Sequence, residues 1–472
     1  MESNIEDFAD MAISHALALK CHYCDVRAEI ITKEGLVIEN GQIEHTVSMF
    51  DRGLGIRVLN DGAWGFFSVS NPSSIAEIIA ATDAAVSSAR YYTKKQKIRL
   101  ASIPTIKDKI VFPVRKEPDI EELAKIGFDC DKIIHEKKRI IKSSVSMGYS
   151  KTKKYFASSE GSKITQEYTD VVSELSATAH ESGLTQSVDS TEGGRGGIEK
   201  LSDEKDIFNT AKFVSEMSSN LIDAKPASEE KATVVMNPDF VALLTHEILG
   251  HPSEADRVLG KEMAWAGGAW WAGNIGKQIG SQNLDVFDDP TISGSLGWYG
   301  YDDEGVKSSK TSLIENGVLV NHMQNRETAE IFNTKSSANM RATSYKFMPL
   351  IRMACTCIGK GDWNPQEMIR DVKSGYLVSN MKVPSIDMKR YNWSISCQFA
   401  QKIENGELTD LLRDVIVIGT APDFFKSIDA CGKDFTVRPI TNCGKGDPMQ
   451  SMIMGNGGPT IRAVATVKSV KS

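Results

Sequence analysis

Two histidines and a glutamate stand close together at His246-Glu247-Ile248-Leu249-Gly250-His251, in a chain of 472 residues with eight histidines. Imidazole pairs with a neighbouring carboxylate are the donor set of hydrolytic zinc helices, where the histidines hold the ion and the Glu acts as general base. In such helices the two histidines are four residues apart, so that both face one ion. Here the spacing is five. On a regular helix that step swings the second side chain about 140° away from the first. Either the pair is accidental, two polar residues at a helix end, or the helix is bulged or broken where His251 sits.

The flanking residues favour a bulge or break. Asn237-Pro238-Asp239 is a strong helix start, with Asn as N-cap, Pro at the first helical position and Asp against the positive helix end. Val241, Leu244 and Ile248 recur at helical steps, and Leu243 widens the apolar stripe. Gly250 is a poor helix former, and Pro252 biases His251 away from the α region. An inserted π-turn or an early helix end there is expected to bring His251 back beside His246.

A tetrahedral zinc site needs a third protein ligand and an open position for water. Cys431-Gly432-Lys433 and Cys443-Gly444-Lys445 are alike, each with a thiol beside a Gly and a Lys that favours thiolate. Spacing does not choose between them. Glu254, three residues past His251, is either an acceptor that orients that imidazole or an alternative ligand.

The elements around this motif predict an α+β chain in two domains, 1–224 and 225–472. In the first, Ile5 to Lys20 reads as an amphipathic helix. Cys24, Val26, Ala28 and Ile30 alternate with Asp25, Arg27 and Glu29 as in a half-buried strand. Helices are expected from about Ser73 to Tyr92, Asp119 to His135 and Asp203 to Ala224, with β-alternating segments from Lys142 to Asp189. An antiparallel sheet with helices follows from that order. Gly193-Gly194-Arg195-Gly196-Gly197 reads as a tight turn. The second, larger and strand-rich domain carries the motif helix, entered from the short strand Ala232-Thr233-Val234-Val235-Met236.

Hydrophobic content of 41% and charged content of 25% are ordinary for a globular protein of two to three domains' length. A net charge of −7 disfavours a nucleic-acid partner. The basic runs Lys94-Lys95-Gln96-Lys97 and Lys137-Lys138-Arg139 read as solvated helix faces. Met1 to Asp10 carries acids and no apolar stretch, and no window is apolar enough for a membrane span. Eight scattered cysteines make no disulfide framework, and Cys21/Cys24 and Cys355/Cys357 read as packing thiols. A cytoplasmic address is expected.

Across nearly its whole length the sequence resembles the TldD/PmbA family, the modulators of DNA gyrase, in its TldD-type branch. The resemblance rests on ordered blocks. Gly53-Leu54-Gly55-Ile56-Arg57-Val58 and Asp61-Gly62-Ala63-Trp64-Gly65-Phe66 come first, and then the histidine hexapeptide with Glu254 and Asp256. Asp288-Asp289-Pro290-Thr291, Asp302-Asp303-Glu304-Gly305 and Leu313-Ile314-Glu315-Asn316-Gly317-Val318-Leu319 follow in order. Asn339-Met340-Arg341 with Ser344-Tyr345, Ile403-Glu404-Asn405-Gly406-Glu407, Cys443-Gly444-Lys445 and Gly458-Pro459-Thr460 complete the set. Pro252 and Ala255 depart from the glycines usual there, and the segment after Cys443 differs from the usual valine-rich form.

The resemblance implies zinc on His246, His251 and Cys443 and Glu247 as the base; one Zn²⁺ per chain is expected, and Fe²⁺ is the lesser option, by likeness to deformylase ligand sets. It implies a peptidase for unfolded or leader-type peptides, working in a homodimer or beside a PmbA-like subunit. The first domain would shape the dimer and the substrate channel. It favours Glu254 as an orienting acceptor. Arg341 and Tyr345 are candidate substrate or oxyanion contacts, with structural hydrogen bonds as the alternative. Two other readings stay open: a non-catalytic scaffold or regulatory subunit with a fourth protein ligand, and a deformylase-like His₂Cys amidase, although deformylases space their histidines by four.

Overall fold

The computed structural model describes residues 5–90 and 97–469. Tyr92 and the Lys94-Lys95 part of the first basic run lie outside the described residues. The first half of the chain is one sheet with helices. Helix α1 (Ile5–Ala18) precedes β1 (Tyr23–Glu39), β2 (Gln42–Asn60), β3 (Ala63–Ser70) and helix α2 (Ile75–Arg90). Then come β4 (Lys107–Val111), helix α3 (Ile120–Ile134), β5 (Ile140–Ser158), β6 (Lys163–Glu181) and β7 (Leu184–Arg195), before a helix at Ile207–Leu221. The sheet runs β3-β2-β1-β5-β6-β4, with β7 also on β6. Asp119 caps α3 through the Glu121 and Glu122 amides, and Asp206 caps the later helix the same way. Side-chain oxygens there satisfy helix N–H groups that have no partner within the helix.

One face of β1 is apolar towards both ends of the strand, with Thr32 and Glu34 between. Cys24, Val26 and Ala28 pack with α1 and α2. Leu36 and Ile38, on the same face by the two-residue period, pack with α3 and the Ile207–Leu221 helix. The alternation in β1 therefore holds, but the strand is not half-buried. Asp25, Arg27 and Glu29 are at most 2% exposed, because the second half of the chain covers the polar face. Arg27 donates to the Ser344 and Phe347 carbonyls, Glu29 accepts from the Tyr345 amide, and Arg57 bridges Asp25 and Glu304. The glycine cluster also differs from a simple turn. Gly193 and Gly194 still belong to β7, and a Cβ at Gly193 would lie 2.2 Å from the Val171 carbonyl oxygen. Close backbone approach, rather than chain reversal, requires glycine there.

From Lys225–Pro226, which pairs with Leu412–Arg413, the chain builds a second sheet system. Strands Ser374–Ile386, Glu230–Met236, Ile461–Ser469, Val415–Thr420 and Asn392–Glu404 are neighbours in that order, and the first also pairs with the last. They close into a ring. Beside it lies a six-stranded sheet ending in Cys355–Ile358, Gln450–Gly458 and Thr436–Lys445. The motif helix leaves the end of Glu230–Met236 and packs into the largest core, with Phe240, Val241 and Leu244 fully buried. All eight cysteines are unpaired and buried. Among the described residues no helix is long and apolar enough to cross a membrane.

Candidate metal centre

The motif helix starts as its sequence dictates: the Asn237 side chain accepts from the Phe240 amide, and Pro238 occupies the first turn. Pro238–Thr245 is α-helical, His246–Gly250 makes a π-turn, and His251–Ser253 makes a 3₁₀ turn. The π-turn brings the imidazole centroids to 4.8 Å, with the rings nearly perpendicular. Its causes differ from those expected. His251 stays in the right-handed helical region (φ −57°, ψ −41°) despite the following proline. Gly250 is helical as well, and what requires glycine is space: a Cβ would lie 2.1 Å from Met353 Sδ.

Pro252 acts through its missing N–H. The His251 N–H goes to the His246 carbonyl, five residues back, and Pro252 has no proton to offer Glu247. Side-chain donors fill the disrupted ladder. Arg390 Nη1 donates to the Glu247 carbonyl at 2.9 Å, Trp270 Nε1 to Ile248 at 3.0 Å and Ser253 Oγ to Leu249 at 2.8 Å. Trp271 Nε1 serves the Pro252 carbonyl at 2.7 Å. Buried carbonyls left without donors would cost about 1–3 kcal/mol each.

Cys443 comes from the strand Thr436–Lys445, where an extra residue between Ile440 and Cys443 shifts the register against its neighbour. Its Sγ and one nitrogen of each histidine lie within 4.8 Å of one another, all three residues being buried. Each Nδ1 is already engaged. That of His246 bonds Asn456 Oδ1 at 2.9 Å, and that of His251 bonds Glu254 Oε2 at 3.1 Å. Asn456 Nδ2 donates to the Thr356 carbonyl, which fixes the amide with its oxygen toward His246. A carboxylate can only accept, so His251 carries its proton on Nδ1 and presents a lone pair at Nε2.

The donors fit zinc. Tetrahedral bonds of about 2.3 Å to sulfur and 2.0–2.1 Å to nitrogen separate those atoms by about 3.6 Å. His251 Nε2 and Cys443 Sγ are 3.6 Å apart. Burial would raise the Cys443 thiol, but His246, His251 and the Arg352 guanidinium outweigh it and hold the group well below its ordinary range. Burial would lower His246, yet the adjacent thiolate wins and raises it to about 9. His251 is held well below its ordinary value, first by burial and then by Arg390. The trio without metal is thus one thiolate–imidazolium pair and one neutral imidazole, a set that exchanges a proton for a cation.

The remaining candidates separate. Glu254 is fully buried on the Nδ1 side of His251, held by Arg257 at 2.8 Å and Lys445 at 3.2 Å, and is not among the converging donors. Lys445 does not serve the thiolate as expected. It bonds Asp256 and the Ile351 carbonyl, while Arg352 reaches the Cys443 carbonyl. Cys431 lies elsewhere, its Sγ donating to the Asn283 carbonyl, and burial pushes its thiol up to about 12. Neither Arg341 nor Tyr345 reaches the trio. Arg341 donates to the Met353 and Ile453 carbonyls, and the Tyr345 hydroxyl bonds Asp51 and Ser70.

Glu247 joins the histidines and Cys443 in lining a cavity of about 710 Å³. The opposite wall is the first sheet, with Ser144, Ser146, Glu174 and Asp189 of β5, β6 and β7. Arg390 pairs with the Glu247 carboxylate through Oε2, and among the described residues Oε1 has no hydrogen-bond partner. Sequence reasoning missed Arg390 and Asn456. One sits in the connection between two strands and the other 210 residues from its histidine, so no local spacing signals either.

Family models for the PmbA/TldA metallopeptidases match three segments: domain 1 over residues 24–89, the central domain over 115–222 and the C-terminal domain over 229–467. The chain belongs to the PmbA/TldD family. Among its relatives, a metalloprotease of Methanocaldococcus jannaschii is 34% identical over 94% of this chain and 96% of that one. A zinc metalloprotease TldD homolog of Saccharolobus solfataricus is 27% identical over 95% of this chain and 97% of its own. The PmbA/TldD fold is shared with TldE from Thermococcus kodakarensis, at a TM-score of 0.76 and 17% identity over 98% of this chain and 99% of that one. A Thermotoga maritima structure described as a modulator of DNA gyrase gives a TM-score of 0.81 at 18% identity, over 98% of this chain and 100% of that one.

Proposed function

We propose that this chain is a zinc-dependent peptidase, with His246, His251 and Cys443 as ligands and Glu247 as general base. One observation carries the reading: two imidazole nitrogens and a thiolate converge within 4.8 Å beside Glu247, on the wall of the 710 Å³ cavity. The names of the Methanocaldococcus and Saccharolobus relatives support the same chemistry. An open fourth position is supported because neither Cys431 nor Glu254 joins the three donors. That weighs against a purely structural metal, which would be closed by a fourth protein ligand.

Zinc bound there supplies Lewis acidity, polarising a scissile carbonyl and acidifying water. Glu247, with Oε1 free, takes the proton of the attacking water and returns it to the leaving nitrogen. Asn456 and Glu254 keep the imidazoles aimed. A thiolate neutralises more of the ion's charge than a carboxylate would, so positioning by the cavity walls carries more of the catalysis. Two edge strands line that cavity. Among the described residues β7 pairs only with β6, and Thr436–Lys445 only with Gln450–Gly458. Gln398 and Arg438 already occupy the β7 edge at Asp189 and Thr191, so an extended peptide would add along Thr436–Lys445, read through its backbone, which suits unfolded or leader-type substrates. The assembly we propose is a dimer, with a second copy or a PmbA-like subunit. The unpaired cysteines support a cytoplasmic address.

Metal analysis and peptide cleavage for wild type, Glu247→Ala and Cys443→Ser test the reading. Glu247→Ala is expected to keep zinc and lose cleavage, and Cys443→Ser to lose both. Full zinc occupancy in Cys443→Ser removes the ligand assignment, and cleavage by Glu247→Ala removes the base. If wild type cleaves nothing alone, the measurement is repeated with a PmbA-like subunit co-expressed.

A further inference from the structure

The bulge that brings the histidines together also leaves the Glu247 carbonyl without a helical donor, and Arg390 takes that place. Its guanidinium is buried, and each of its three nitrogens donates. Nη1 reaches both the carbonyl and Oε2 of Glu247, Nε donates to the Ala266 carbonyl at 3.0 Å, and Nη2 to Trp265 at 3.3 Å. Three separate segments thus meet at one side chain. Each brings a carbonyl or the guanidinium from an uncommon backbone setting. Trp265, Ala266 and Arg390 all adopt left-handed φ values, 56°, 57° and 59°, which side-chain-bearing residues hold only when the surroundings enforce them. Asp387 enforces that of Arg390, accepting from the Lys389, Tyr391 and Asn392 amides across the strand connection.

We propose that Arg390 is the positioning residue for Glu247, gripping one carboxylate oxygen and the same residue's carbonyl so that the second oxygen is left free to act. The inference rests on the peptidase reading, and Arg390 itself touches no reacting atom. A two-point hold on one residue removes both backbone and side-chain freedom, since the distance between the two acceptors then fixes the glutamate rotamer. An arginine suits this because its planar fork presents several donors at set angles, whereas a lysine offers a point charge.

In zinc-loaded protein, Arg390→Ala is expected to lower kcat about 100-fold, the loss that a misplacement of about 1 Å produces, with KM changed less than about threefold. Zinc content stays at the wild-type level, and Arg390→Lys recovers part of the rate. The deciding comparison adds Glu247→Gln. In that background Arg390→Ala is expected to change the residual rate less than about twofold, because nothing remains to be positioned. An unchanged kcat in the single variant, or a further loss of about 100-fold in the double variant, overturns the inference. If Arg390→Ala does not fold, Arg390→Gln replaces it and still offers the Glu247 carbonyl a donor. Failure of the peptidase reading looks different: zinc-loaded wild type then cleaves no peptide. The inference is then decided by a crystal structure of the Arg390 variant. Glu247 spread over several rotamers supports it, and a single unchanged rotamer overturns it.

Discussion

Replacing Glu254 by Gln isolates what its charge contributes to the site. The substitution keeps the shape and an acceptor for His251 Nδ1–H, and removes the negative charge shared by His251, Arg257 and Lys445 at 3.1, 2.8 and 3.2 Å. Lys445 retains Asp256 at 2.8 Å, but Arg257 is left with neutral acceptors alone, the new amide oxygen and the Ala264 carbonyl, and among the described residues its Nη2 has no partner already. One buried cation is therefore left uncompensated, which costs about 3–5 kcal/mol of folding stability. The low end is expected, because Lys445 stays paired. The imidazole also loses the anion that raises its basicity, so zinc affinity should fall about 10–100-fold, or about 1.4–2.8 kcal/mol. Competition against a chelator of known zinc affinity measures the second effect, and denaturant unfolding of zinc-free protein measures the first. Zinc affinity within twofold of wild type, together with unchanged stability, would refute the reasoning.

Trp270→Phe removes the donor to the Ile248 carbonyl and should cost about 1–3 kcal/mol in denaturant unfolding, with the apolar ring contacts retained. His322 is buried with neither ring nitrogen hydrogen-bonded among the described residues, and burial lowers it to about 4. Its folded pKa lies below the unfolded 6.5, so stability is complete above about pH 6.5 and is lost as pH falls toward 4. The loss approaches about 3 kcal/mol, and His322→Phe should flatten that part of the pH–stability curve. Removing zinc with a chelator should lower the melting temperature, and added zinc should restore it in proportion to the logarithm of its free concentration.

The parts of the site that the sequence discloses are those encoded by neighbours. Asn237 and Pro238 announce the helix start, Asp119 the start of α3, and the five-residue spacing a bulge or an early end of the helix, of which the structure shows the π-turn. The apolar alternation of β1 is legible too, but its burial on both faces is not, because the covering residues, Ser344 to Phe347, lie more than 300 positions away. The same holds for Arg390 and Asn456, whose importance arises only where the ring of strands and the six-stranded sheet meet the helix. Resemblance, and not spacing, distinguishes Cys443 from Cys431, since both have the same Cys-Gly-Lys form. The roles of Gly250 and Pro252 are not local either. Local propensity describes what a residue favours in isolation, and here the deciding facts were a methionine across the core and a proton that proline lacks.

A π-turn is one residue of surplus in a helix, and a surplus residue is an angular offset of about 100° between everything before it and everything after. His246 belongs to the earlier frame and is steadied by Asn456 from the sheet. His251 belongs to the later one and is steadied by Glu254 from its own following turn. The pair thus hangs from two independent mountings: an alteration that loosens one histidine leaves the other aimed, and full misalignment requires damage on both sides of the offset.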